Sequence, residues 1–172
     1  AGYTIRREMG KSFTVELIEE AYVDLPPEID VLMMVHPPRF TDWQLWQIDQ
    51  FILRKGRALI LLDPAAKTAQ GTGPFNMTNR QTRSDLDRFA SVWGIRLAEE
   101  AIADTETALS IEADAGEGRT TVLQHPLFLA VPPGLMSRSN IVTSDLSRTV
   151  NLGAAGRLIL NDGAPGTREV LM

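Results

Sequence analysis

Residues 28–64 read EIDVLMMVHPPRFTDWQLWQIDQFILRKGRALILLDP. Ile29 to Val35 is an apolar run about one strand long, and His36-Pro37-Pro38 ends it. A helical stretch follows and Gly56 closes it. Ala58 to Leu62 makes a second apolar run, stopped by Asp63-Pro64. Short, wholly apolar runs joined by an amphipathic helix call for parallel strands covered on both faces. Crossovers of this kind are right-handed in nearly all known sheets. The stretch therefore predicts one βαβ unit of a layered α/β sheet.

The helix is well marked. Thr41 with Gln44 three residues on fits a capping box, which satisfies orphan backbone donors in the first turn. Leu45, Ile48 and Ile52, joined by Phe51, fall on one side at helical spacing and are expected to face the sheet. Trp43, Trp46 and Leu53 lie on another flank. Two readings suit that flank: packing against a neighbouring helix or loop, or a partner surface of the kind that exposed aromatic patches mark.

Around this centre the bulk numbers set bounds. The chain has 172 residues, 44% hydrophobic and 23% charged, which suits a single globular domain. Its formal net charge of −5, with 17 basic residues spread along the chain, argues against a general nucleic-acid binder. It has no cysteine, which removes disulfides, thiolate metal sites and a cysteine nucleophile. No apolar run is long enough to cross a bilayer. The polar start at Ala1 carries no signal peptide and reads as the beginning of a piece cut from a longer protein.

On either side of the centre, the elements follow the same grammar. Ala1 to Gly10 is expected to be the end of a helix capped by Gly10. Phe13, Val15 and Leu17 alternate with more polar neighbours and predict a strand near a sheet edge. The stretch 65–82 is rich in Gly, Asn and Thr and too polar for a buried element, so it reads as a long loop, either functional or disordered. Its Gly71-Thr72-Gly73 matches no phosphate-binding pattern. Ser84 is expected to start a helix carrying Leu86, Phe89, Ala90 and Trp93, with Gly94 ending it and Ile95 and Leu97 opening a strand. Residues 99–117 fit either a helix or a surface strand that ends at the Gly116–Gly118 turn. Thr120 to Leu123 is strand-like, and His125-Pro126 is expected to break it before the apolar run Leu127 to Val131. Ile141 to Thr143 is a short strand candidate. Asn151 to Gly156 reads as flexible, and Leu158 to Leu160 as a last apolar run.

Chemistry is sparse. His36 and Asp63 stand at the exits of the two central strands, where ligands sit in open α/β sheets. They could form an acid–base pair. Asp or His before proline also fixes turns by bonding local backbone, and this is the better-supported reading of both. A second aspartate two residues after Asp63, as a phosphotransfer site would need, is replaced by Ala65. No nucleophile elbow is present. The two histidines, His36 and His125, form no metal-binding spacing. The sequence therefore predicts no catalytic set, no metal and no cofactor.

A family resemblance rests on Asp30, His36-Pro37, Ile48-Asp49-Gln50-Phe51, Gly56 and Asp63-Pro64. Later pieces, LDRFASVWGIRL, LQHPLFLAVPPGLM and VTSDLSRTVNLGAAGRL, extend it to about residues 13–160. These segments resemble the soluble domain of the auxiliary component of an uncharacterised ABC-type transport system, the gliding-motility GldG type. The resemblance implies a three-layer α/β fold with a mostly parallel sheet and flanking helices, flavodoxin-like or class I glutamine amidotransferase-like. The amidotransferase cysteine has no counterpart here. The resemblance also implies a membrane-anchored protein with this domain on the extracytoplasmic, periplasmic side, working beside ABC permease and ATPase subunits.

The expectation is thus a single α/β domain over residues 1–172 that binds a partner subunit or a transported substrate without catalysing a reaction. His36, Pro37, Asp63 and Pro64 would shape the strand-end rim. Trp43, Trp46 and Leu53 are the candidate partner surface, and the 65–82 loop a contact surface. Two alternatives carry their own tests. A hydrolase using His36 and Asp63 needs those side chains within hydrogen-bond reach. A small-molecule sensor needs a closed apolar pocket at the strand ends.

Overall fold

The computed structural model describes residues 4–66, 82–164 and 166–172. The chain divides into two compact units, Ala1–Leu32 with Thr41–Arg57 and Met33–Phe40 with Ala58–Met172. Elements are numbered in chain order: α1 Thr4–Met9, β1 Val31–Val35, α2 Asp42–Leu53, β2 Arg57–Leu61, α3 Asp87–Ala90, β3 Ile95–Ala101, β4 Ala108–Asp114, β5 Thr120–Val131, β6 Val150–Gly153 and β7 Gly156–Leu160.

In the first unit, α1 ends as its glycine suggests, with Gly10 N–H donating to Arg6 O at 3.0 Å. The capping box of α2 is present. Thr41 Oγ1 accepts Gln44 N–H at 3.3 Å, and Gln44 Oε1 accepts Thr41 N–H at 3.0 Å. Ile48 is the most buried residue of the helix. The end of α2 differs from the sequence reading. The left-handed residue is Lys55, at φ 71°, and not Gly56. Gly56 is needed for space, since a Cβ there would stand 2.5 Å from Phe51 O and 2.6 Å from its ring. The strand expected over Phe13 to Ile18 is absent. That segment has no regular structure, and Phe13 and Leu17 stand exposed. Alternation marks a strand only where a neighbour completes the ladder and one face is covered.

β1 and β2 pair as a two-stranded sheet. Arg57 N–H donates to Asp30 O at 3.4 Å, and His36 N–H donates to Leu61 O at 2.9 Å. Both strands therefore advance in the same direction, and the pair is parallel. The pair is not covered on both faces, as its apolar runs had suggested. Leu32 and Met34 are buried, while Val31, Val35, Leu59 and Leu61 are exposed.

The second unit overturns the fold class. Apart from the β1–β2 pair, its sheets are antiparallel: β3 pairs with β7, and β4, β5 and β6 form a three-stranded sheet. The fold is not a three-layer, mostly parallel arrangement of the flavodoxin-like or class I glutamine amidotransferase-like type. The helix expected from Ser84 is the single turn α3, and its N-cap position, Leu86, has no side-chain cap. Ser84 cannot serve as the cap, because its hydroxyl is engaged elsewhere, as described below. Leu86, Phe89 and Ala90 are nonetheless buried as the spacing predicted. Gly94 then turns the chain at φ 70° into β3, where Leu97 and Ala98 are buried.

The ambiguous stretch 99–117 holds the end of β3, a connection over 102–107 and the strand β4. β4 runs to a tight turn in which Gly116, Glu117 and Gly118 all have positive φ, and Ala115 N–H donates to Arg119 O at 2.8 Å. His125-Pro126 does not break β5. Ala108 faces Leu129 while the next residue, Leu109, faces His125. Pro126, Leu127 and Phe128 are thus left out of the β4 ladder as a bulge. Proline has no N–H to give a ladder, so the strand bends there and continues. Beyond the bulge it pairs with β6, where Phe128 faces Gly153, and Ala154 N–H donates to Leu127 O at 2.7 Å. Residues expected to be flexible, Asn151 to Gly156, supply β6 and the start of β7. The strand candidate Ile141 to Thr143 is a turn. Ile141 and Val142 are exposed, and the buried Thr143 donates its hydroxyl to Ser137 O at 2.7 Å.

Candidate functional site

Two places collect the residues singled out by the sequence, one in each unit. In the second unit the exits of β1 and β2 meet at Ser84. His36 sits in the left-handed region at φ 50°, a conformation uncommon outside glycine though less so for histidine than for most residues. Its Nδ1 lies 3.0 Å from Ser84 Oγ. The same oxygen accepts Asp63 N–H at 2.8 Å, and Ser84 N–H donates to Asp63 O at 2.9 Å. Asp85 N–H donates to Pro37 O at 3.0 Å. The Asp63 carboxylate accepts Ala65 N–H at 2.8 Å, the local turn bond expected of aspartate before proline.

Ser84 is only 1% exposed, and Pro37 and Pro64 are buried as well. His36 Nδ1 thus meets the hydroxyl of a serine sealed from solvent. Sequence reasoning missed Ser84 because it suited a helix cap, and its partners lie 48 and 21 residues away.

In the first unit, the Trp-bearing flank of α2 faces the segment 20–27. Trp43 and Trp46 stack with ring centroids 4.7 Å apart and planes 16° from parallel. Trp43 Nε1–H donates to Val23 O at 3.0 Å. Gln47 donates from Nε2 to Val23 O at 2.6 Å and accepts Leu25 N–H at Oε1, also at 2.6 Å. The buried Gln44 donates from Nε2 to Glu20 O at 2.9 Å and to Tyr22 O at 3.1 Å. A strandless segment is therefore strapped to the helix by side-chain amides. The signal in the sequence was the pair Gln44 and Gln47, polar residues three apart on a helix otherwise rich in large apolar ones.

Between segment and helix lies an open groove of about 520 Å³. The indoles of Trp43 and Trp46 and the ring of Phe51 supply its apolar lining, with Pro26 and Pro27 beside them. Asp24, Asp30, Arg54, Lys55 and Arg57 supply charges of both signs. Leu53, the third member of the predicted surface, is exposed and does not line the groove. Among the described residues no group of His, Cys, Asp and Glu is arranged to hold a metal, and no helix is long and apolar enough to cross a membrane. Most of the proposed contact loop, residues 67–81, lies outside the described residues.

Tyr22 closes the segment's hold on the helix, its hydroxyl directed at Gln44 O at 3.4 Å. Burial pushes its phenol from 10.0 up to about 12. Between those values the unfolded chain has lost a proton that the folded chain keeps, so stability falls as pH rises through that window. Denaturation midpoints measured along an alkaline series should therefore drop more steeply for the wild type than for Tyr22→Phe. Parallel slopes would mean that the phenol is as wet as in the unfolded chain.

A family model described as an ABC-type uncharacterized transport system matches residues 1–172. No curated protein and no solved structure matches the chain.

Proposed function

The chain belongs to that family of ABC-type transport system auxiliary components, and from this premise we propose that it is a non-enzymatic binding domain on the extracytoplasmic side of the transport complex. It holds the transported substrate in the groove of the first unit, while the protein associates with the permease and ATPase subunits. One observation carries the reading. The groove presents a stacked indole pair and charged side chains to solvent. Rigid walls with a few polar groups aimed into a concave space are the usual design of a ligand site.

The test separates assembly from substrate handling. The natural full-length protein is expected to co-purify with the permease and ATPase subunits of its system. A Trp43→Ala/Trp46→Ala variant should still co-purify, while transport by the reconstituted complex falls by about tenfold or more, the loss typical of removing a central aromatic contact. Failure of the wild type to co-purify ends the auxiliary role. Unchanged transport in the double variant ends the role of the groove.

A further inference from the structure

The polar groups of the groove point to the class of ligand it takes. Trp43 Nε1–H and both ends of the Gln47 amide are already held by the backbone of residues 23–25. The charged groups left for a ligand are the carboxylates of Asp24 and Asp30 and the cationic ends of Arg54, Lys55 and Arg57, all exposed. No ion pair or side-chain hydrogen bond joins these five to one another or to other side chains among the described residues. An anionic ligand meets the two carboxylates, and a cationic one meets the ammonium of Lys55 and the two guanidinium groups. A neutral ligand whose groups both donate and accept meets neither penalty. A hydroxyl has one donor hydrogen and two acceptor lone pairs, so a polyol satisfies carboxylates and guanidinium groups together.

The apolar wall adds the second requirement. Trp43 and Trp46 are 50% and 48% exposed, although their rings could have been covered by the segment they bind. The outer face of a stacked indole pair offers a flat, polarisable platform of large contact area. A ligand that fits must carry one flat apolar face and a hydroxylated rim. A pyranose ring has both, with its axial C–H groups on one face and its hydroxyls around the edge. The volume of about 520 Å³ falls within the range of small-molecule sites. It suits a short run of rings lying along an open groove better than one ring in a closed pocket.

We propose that the groove binds a neutral oligosaccharide, one ring stacked on the Trp43–Trp46 pair and the hydroxyls of neighbouring rings bridging Asp24 and Asp30 to Arg54 and Arg57. This deepens the reading of the groove as the substrate site and rests on it. An open groove leaves much of its ligand in water, so affinity is modest, with a Kd on the order of 1 mM or tighter.

Cellotetraose, maltotetraose and chitotetraose, titrated separately into the 172-residue chain, provide the probes. The readout is the indole N–H resonances of the three tryptophans. At least one of the three sugars is expected to shift Trp43 and Trp46 in a saturable way while Trp93, in the second unit, stays still. Trp46→Ala should weaken that binding by about tenfold or more. Asp30→Asn and Arg57→Gln, both on exposed side chains that leave the fold intact, should each weaken it several-fold. Three results overturn the proposal: no shift with any of the sugars, equal binding by Arg57→Gln and Asp30→Asn, or displacement of the indoles by a proline-rich peptide and not by sugar. The last result leaves the groove as a binding site for another ligand class. Co-purification with the permease and ATPase is measured independently, so either claim can fail alone.

Discussion

Gly94→Ala is expected to lower stability by about 3 kcal/mol or more, summing a left-handed backbone penalty of about 1–2 kcal/mol and an overpacking penalty of about 1–3 kcal/mol. Gly94 has φ 70°, and a methyl group there would stand 2.2 Å from Ala164 Cβ and 2.7 Å from Arg168 Nη2. That guanidinium donates to Trp93 O at 3.1 Å, so the methyl also disturbs the contact that ties the C-terminal segment to the start of β3. Gly116 supplies the control. Its φ is 81°, yet a Cβ there meets nothing within 4 Å. Gly116→Ala should therefore show the backbone cost alone. Urea unfolding with an unchanged slope is the measurement. Equal midpoints for the two variants would show that Gly94 is chosen only for its dihedral angle and not for the tight fit of Ala164 and Arg168.

Ser84→Ala should be the second costly change. The hydroxyl holds Asp63 N–H at 2.8 Å and His36 Nδ1 at 3.0 Å in a site only 1% exposed. Its removal leaves a buried amide without that acceptor, and each such loss costs about 1–3 kcal/mol. The expected total is about 2 kcal/mol or more, because His36 must also stay at φ 50° without its tether. Hydrogen exchange adds a local readout, since the Asp63 amide should exchange much faster in the variant at a pH where global unfolding is negligible. A change within about 0.5 kcal/mol, the usual scatter of surface substitutions, together with an unchanged Asp63 rate, would mean that the hydroxyl merely fills space.

Much of the local structure was legible. Thr41 and Gln44 announced the start of α2, Gly10 the end of α1, and the apolar runs before His36 and Asp63 gave β1 and β2. These elements are set by side chains within a few residues of one another. The direction of strand pairing is set at longer range. Residues 84–97 repeat the helix, glycine, strand grammar of the central stretch, yet β3 finds its partner in β7, some sixty residues on, and runs antiparallel to it. Nothing in the local pattern distinguishes the two outcomes, because a buried apolar run serves either ladder.

Proline misled for a related reason. Pro126 was read as a break, but a strand with different neighbours on its two sides can omit one ladder bond and keep the other. Of the site residues, Trp43 and Trp46 were legible as a flank distinct from the apolar face of their helix. Asp24, Asp30, Arg54 and Arg57 were not. Asp24 reaches the groove because Gln44 and Gln47 bind the backbone of a segment more than twenty residues earlier in the chain, and Asp30 meets Arg57 through the pairing of β1 with β2.

The hairpin of β4 and β5 has one more consequence. From Thr120 to Gln124 every residue of β5 is exposed, and at the tip neither Gly116 nor Gly118 has a neighbour within reach of an added carbon. The outer half of this arm bears no share of the core and is held by its own ladder. It is the natural point at which to splice in a reporter peptide or a cleavage site, between Glu117 and Gly118, because lengthening a loop tip costs only a small closure entropy. Engineers wishing to watch the domain within an assembled complex have there a handle that leaves both the indole groove and the Ser84 corner as they are.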